Sequence, residues 1–84
     1  MVRVILTPAA VAELDALNNP LHARVLRLLV RLEHWPDVSG AKPLGGDLAG
    51  RYRLRTGDYR VQFCVVGDDI VIEKIGHRDG FYEE

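Results

Sequence analysis

The sequence predicts a two-layer α+β domain in the order β-α-α-β-β-β, a helical hairpin packed on one face of a mostly antiparallel four-stranded sheet. Three observations lead there. Thr7-Pro8 and Asn19-Pro20 each pair a capping residue with a proline ahead of apolar residues at helical spacing. Three β-rich runs then follow one another, separated by short glycine-containing turns. Finally, 84 residues make one small core, burying roughly 60% of the unfolded surface, so residues 1–84 read as a single domain.

Val2 to Leu6 is a short β-rich run. Thr7 caps a first helix from Pro8 to Leu17, with Val11, Leu14 and Leu17 on its buried face. Asn19 caps a second helix, ending near His34 because Pro36 disfavours helix in the residue before it. Its buried stripe is Leu21, Val25, Leu28, Leu29 and Leu32, and Arg24, Arg27 and Arg31 share the opposite, solvated side. Asp37 to Gly50 is a glycine-rich loop with room for one ordered turn between Lys42 and Leu48. The remaining strands are Arg51 to Thr56, Tyr59 to Val66 and Ile70 to Ile75, and a polar tail follows.

Successive side chains of a strand point to opposite faces, so Arg51, Arg53 and Arg55 share one surface with Tyr52 and Leu54 behind them. Gly57-Asp58 suits a two-residue type II′ hairpin turn. That turn sets Arg55 opposite Arg60, Leu54 opposite Val61, Arg53 opposite Gln62 and Tyr52 opposite Phe63. With Val65 opposite Ile70, Phe63 faces Ile72 and Glu73 sits beside Gln62 on the arginine face, the face the helices leave open. Like charges across a sheet are destabilising, which points to an anion.

Eleven Lys and Arg against twelve Asp and Glu give a formal net charge of −1, which argues against coating nucleic acid by bulk charge. The charge is instead local: residues 51–60 hold four Arg and one Asp, whereas residues 61–84 hold Lys74 and Arg78 against six carboxylates. The single cysteine, Cys64, excludes an internal disulfide, and the three histidines show no zinc-ligand spacing. No apolar run approaches the ~18 residues of a membrane span, and the N-terminal run is too short for a secretion signal. A cytoplasmic setting, without membrane, metal or cofactor, is the expectation.

Arginine suits phosphate because its planar fork donates two parallel hydrogen bonds and keeps its charge. The same residues also fit a plain solvated face on which Glu73 and Asp58 pair with Arg53 and Arg60. His77 and Arg78 follow the last strand and add a titratable ring and a guanidinium at its edge. Tyr82 offers a hydroxyl beside them.

The run Lys42-Pro-Leu-Gly-Gly-Asp-Leu-Ala-Gly-Arg-Tyr-Arg-Leu-Arg-Thr-Gly-Asp-Tyr-Arg-Val61 and the ending Ile75-Gly-His-Arg-Asp-Gly-Phe-Tyr82 resemble the RelE branch of the RelE/ParE toxin superfamily, the toxins of bacterial type II toxin–antitoxin pairs. The resemblance implies a RelE-like fold and a ribosome-dependent mRNA endoribonuclease that cuts message in the A site. It implies metal-independent attack by a ribose 2′-hydroxyl on the adjacent phosphate. It assigns Arg60 and Arg78 to the scissile phosphate, Arg51, Arg53 and Arg55 to backbone positioning and charge stabilisation with Arg53 also catalytic, and Tyr82 to proton transfer. Lys42 and His77 complete the RNA-binding set. Implied partners are a cognate antitoxin protein, in a toxin–antitoxin hetero-oligomer, and mRNA on the 70S ribosome. Two alternatives share the fold: a non-enzymatic ParE-like inhibitor of DNA gyrase, and a decayed toxin that only binds its antitoxin.

Overall fold

Short apolar alternation builds the strands here, and two proline-led apolar stripes build the helices that cover them. The computed structural model describes residues 2–81. β1 (Arg3–Leu6) leads into α1 (Pro8–Asp15) and α2 (Asn19–Arg31), the latter continued by a 3₁₀ turn at Leu32–His34. β2 (Lys42–Pro43) and a 3₁₀ turn at Gly46–Leu48 occupy the long loop. β3 (Arg51–Thr56), β4 (Tyr59–Val66) and β5 (Asp69–His77) form the antiparallel body, and α3 (Arg78–Phe81) follows. Among the described residues no helix is long and apolar enough to cross a membrane.

The sheet order is β1-β5-β4-β3-β2, and β1 runs parallel to β5. It therefore has five strands where four were expected, because two residues of the glycine-rich loop, Lys42 and Pro43, pair with Arg53 and Tyr52. Proline is tolerated there because β2 is an edge strand.

The helix starts follow their capping chemistry. Thr7 accepts from the Ala10 N–H at 3.1 Å. Asn18, rather than Asn19, caps α2, its side chain accepting from the Leu21 N–H at 3.2 Å. Pro20 then falls in the first turn, where its missing donor costs no intrahelical bond. α1 ends at Asp15, two residues before the expected Leu17, and rolls so that Ala10 and Leu14 are buried while Val11 is exposed. In α2, Val25, Leu28 and Leu29 are buried, with Leu32 just beyond. Arg24 and Arg27 lie on the exposed side, and Arg31 turns back to donate to the Ser39 carbonyl at 2.7 Å, holding the start of the loop.

The core lies between the helices and one sheet face, with Leu54, Val61, Phe63, Ile70, Ile72 and Ile75 meeting the helix residues. Trp35 closes one end, edge-on to Tyr52 at 4.8 Å and to Phe63 at 5.4 Å between ring centroids. Beyond the end of β1 the backbone of β5 finds another partner: the Ile75 N–H donates to Glu13 Oε1 of α1 at 2.7 Å.

Candidate phosphate-binding face

The β3–β4 register is the expected one: Arg55 opposes Arg60, Leu54 opposes Val61, Arg53 opposes Gln62 and Tyr52 opposes Phe63. Gly57 has φ +58° and Asp58 does not have positive φ, which is the type II′ pattern that Gly57-Asp58 predicts. Gly67, at φ +60°, makes the corresponding turn into β5.

One β-bulge changes the face. The pairing shifts between Gln62 and Phe63, so Gln62 opposes Lys74 while Phe63 still opposes Ile72. Glu73 is the extra residue, and the expectation that it sits opposite Gln62 is corrected. A bulge leaves two residues facing one, which turns the following side chains over. Lys74 thereby joins the arginine face while Ile75 stays in the core. The cross-strand partners Lys42–Arg53, Arg53–Gln62 and Gln62–Lys74 form one row over four strands.

Glu73 and Asp58 pair with other arginines than the expected Arg53 and Arg60. Glu73 accepts from Arg51 Nε at 2.7 Å, and this hydrogen bond, with the attendant charge attraction, raises the Arg51 pKa. Asp58 lies 3.9 Å from Arg78 Nε, not against Arg60. Arg60 is buried at 8% exposure, contrary to the surface position expected for it, and donates to the Gly57 carbonyl at 2.9 Å and the Tyr59 carbonyl at 3.3 Å. Its guanidinium is thus folded back onto the β3–β4 turn. Arg53 donates to Gln62 Oε1 at 3.4 Å. Cys64 faces the same side opposite Arg51, and burial, with Glu73 nearby, pushes its thiol up.

Lys42, Arg53, Arg55 and Arg60 line a cleft of about 320 Å³ with Gly40 and Leu54. Four cations line it, and no carboxylate does among the described residues, which makes it an anion site in chemical terms, with fixed donors around a concave opening. Arg51 stands apart at the Glu73 end. Arg78, at the start of α3, is 58% exposed at its side chain, and its N–H donates to the Asp58 carbonyl at 2.8 Å, tying it to the same turn that Arg60 holds. His77 is not brought into the arginine cluster. It pairs with Tyr59, their rings edge-on at 5.3 Å, and its Nδ1 accepts from the Asp79 N–H at 3.1 Å. Tyr82 lies outside the described residues.

Two contributors escaped the sequence reading. Lys74 is one, although the spacing of Ile70, Ile72 and Ile75, two residues and then three, marks the bulge that exposes it. Phe81 is the other: it is 4% exposed, with the Arg53 guanidinium carbon 5.2 Å and Lys74 Nζ 4.6 Å from its ring centroid.

Known proteins share this fold. Residues 4–80 match the family described as ParE toxin of type II toxin-antitoxin system, parDE. No curated protein sequence matches the chain. Among solved structures, the RelBE2 toxin–antitoxin complex from Mycobacterium tuberculosis is similar at 27% identity and a TM-score of 0.77, over 89% of this chain and 95% of that one. The archaeal RelE–RelB complex from Pyrococcus horikoshii OT3 is similar at 29% identity and a TM-score of 0.72, over 92% of this chain and 94% of that one. The isolated E. coli RelE toxin shares the fold at 16% identity and a TM-score of 0.77, over 92% of this chain and 84% of that one. With 77 of its residues inside the family match, the chain belongs to the ParE toxin family of type II toxin–antitoxin systems, within the RelE/ParE superfamily.

Proposed function

We propose that this toxin is a ribosome-dependent mRNA endoribonuclease. The observation that carries the reading is the cleft where Lys42, Arg53, Arg55 and Arg60 converge. A phosphodiester undergoing attack spreads negative charge over its non-bridging oxygens, and fixed cations that meet that charge lower the barrier. In the proposed step the ribose 2′-oxygen bonds to the adjacent phosphorus and the P–O5′ bond breaks. The departing 5′-oxygen takes a proton from water, so that a cyclic phosphate and a free 5′-hydroxyl result, without a metal.

Arg60 and Arg78 act on the scissile phosphate. Arg60 suits this because Gly57 and Tyr59 already hold its guanidinium, so little freedom is lost when an anion arrives. Arg53 stabilises the developing charge, and Arg55 and Lys42 hold flanking phosphates. Arg51, paired with Glu73, takes a backbone contact at the periphery. His77, the last residue of β5, takes an RNA contact beyond the scissile bond. Tyr82 accepts the 2′-hydroxyl proton, as the resemblance implies.

The partner that silences the toxin is a cognate antitoxin, in line with the RelB complexes of the similar M. tuberculosis and P. horikoshii proteins. The second reading, inhibition of DNA gyrase without catalysis, is favoured by the family match itself, which is to ParE toxins. Purified toxin added to programmed ribosomes, with message 5′ ends mapped, separates the two. Cuts within A-site codons support the nuclease. Their absence alongside gyrase-dependent DNA breaks overturns it.

A further inference from the structure

Lys74 is fixed to the C-terminal turn by two contacts. Its ammonium donates to the Phe81 carbonyl at 2.6 Å and stands 4.6 Å from the Phe81 ring centroid. The ring is nearly fully buried although it lies outside the main core, resting over Gly76 with the Arg53 guanidinium also against it. Cations facing a desolvated ring are attracted by its quadrupole. Phe81 closes α3 and Arg78 opens it, and the opening end is held by the Arg78 N–H on the Asp58 carbonyl. Four residues cannot sustain a helical turn by their own hydrogen bonds. The turn therefore sits where its attachments to the sheet and the β3–β4 turn hold it, the Lys74 clamp at one end and the Asp58 carbonyl at the other among them.

We infer that Lys74 is a positioning residue: by clamping Phe81 it fixes the turn that carries Arg78. The inference rests on the proposed reading of this face as a phosphate site. It asks for a cationic donor at position 74, since both the carbonyl bond and the ring contact need the ammonium. Lys74→Met keeps the length of the stem and removes both. Lys74→Arg restores them.

The test compares Lys74→Met, Lys74→Arg, Arg78→Ala and the Lys74→Met/Arg78→Ala double variant in single-turnover cleavage on programmed ribosomes. Amide exchange at Arg78 and Asp79 is followed in the free protein. Lys74→Met is expected to slow cleavage about 10- to 100-fold with a nearly unchanged KM. Lys74→Arg should recover most of the rate, and Lys74→Met should add no further loss once Arg78 is alanine. Exchange at the two amides should rise at least about tenfold in Lys74→Met and not in Lys74→Arg.

Multiplicative losses in the double variant, or a raised KM with a shallower salt dependence, would make Lys74 a direct phosphate contact and overturn the inference. The exchange measurement needs no substrate. Unchanged protection in Lys74→Met overturns the clamp even if the wild type cuts message, whereas lost protection in a protein that cuts none upholds the clamp and sinks only the nuclease reading.

Discussion

The Arg51 guanidinium donates to the Glu73 carboxylate at 2.7 Å, and that contact sets apart the first arginine of a row whose other members converge on a cleft. The bulge makes the contact possible, because it leaves Glu73 as the extra residue of β5. Glu73→Gln should release Arg51 toward RNA. The expected result is tighter binding of a short single-stranded RNA, by roughly two- to fivefold, and a log K against log salt slope about 0.7 steeper, the increment for one added phosphate contact. Fluorescence anisotropy over a salt series reads both, and an unchanged slope would place Arg51 outside the RNA path.

Arg60 couples fold to function. Its side chain is buried and donates to two carbonyls of the β3–β4 hairpin. Arg60→Ala should therefore cost about 1–3 kcal/mol in stability as well as abolishing growth inhibition. Arg60→Lys should be intermediate, since an ammonium cannot reproduce the planar fork. Urea unfolding checks this, and full stability in Arg60→Ala would show that the carbonyl bonds contribute nothing.

Arg78 should behave differently. Its side chain is mostly exposed, and its Nε stands 3.7 Å from Asp79 and 3.9 Å from Asp58, long separations in water. Arg78→Ala is expected to stay within ~0.5 kcal/mol of wild-type stability while growth inhibition is lost. Expression without antitoxin, paired with thermal unfolding of the purified variant, gives the comparison. A toxic Arg78→Ala protein would remove Arg78 from the site.

The parts of this architecture that were legible in the sequence are those with a strict local rule. Gly57-Asp58 dictated the turn, the turn dictated the Arg55–Arg60 register, and alternation then assigned every side chain of β3 to a face. The rule breaks at Glu73 and Lys74, where a single inserted residue reverses the alternation and moves a lysine onto the arginine face. β2 escaped because a two-residue strand containing proline carries no periodicity. α3 escaped because its four residues hold one apolar side chain, and tertiary contacts from Lys74 and Asp58 place it. The depth of Arg60 was hidden for a related reason, since it donates to backbone carbonyls of the hairpin, which no residue type signals. The pairing of β1 with β5 depended on the route of a long crossover, which local sequence does not encode.

Glu13 joins the two layers. Its carboxylate accepts from the Ile75 N–H at 2.7 Å, taking the place of a strand partner beyond the end of β1. Glu13→Ala should leave that donor unsatisfied in a half-buried setting and cost about 1–3 kcal/mol. Glu13→Gln keeps an acceptor oxygen and should retain most of the stability. Denaturant midpoints for the two variants decide it, and equal losses would mean that the carboxylate charge, not the hydrogen bond, matters.

Cys64 adds an alkaline limit to stability. Burial first, and the Glu73 carboxylate second, raise its thiol pKa in the folded protein. An unfolded thiol ionises near 8.5, so above that pH the unfolded chain has lost a proton that the folded protein still holds. Stability is then complete below the unfolded pKa and falls as pH rises through it toward the folded value. The wild type should lose stability as pH rises above the unfolded thiol's value of about 8.5, and Cys64→Ala should show a flatter dependence over the same range whatever its absolute stability. Glu73→Gln removes one of the groups that hold the thiol up and should flatten it partly. Urea midpoints at stepped pH test the sign: parallel curves for wild type and Cys64→Ala would show that the thiol titrates alike in both states.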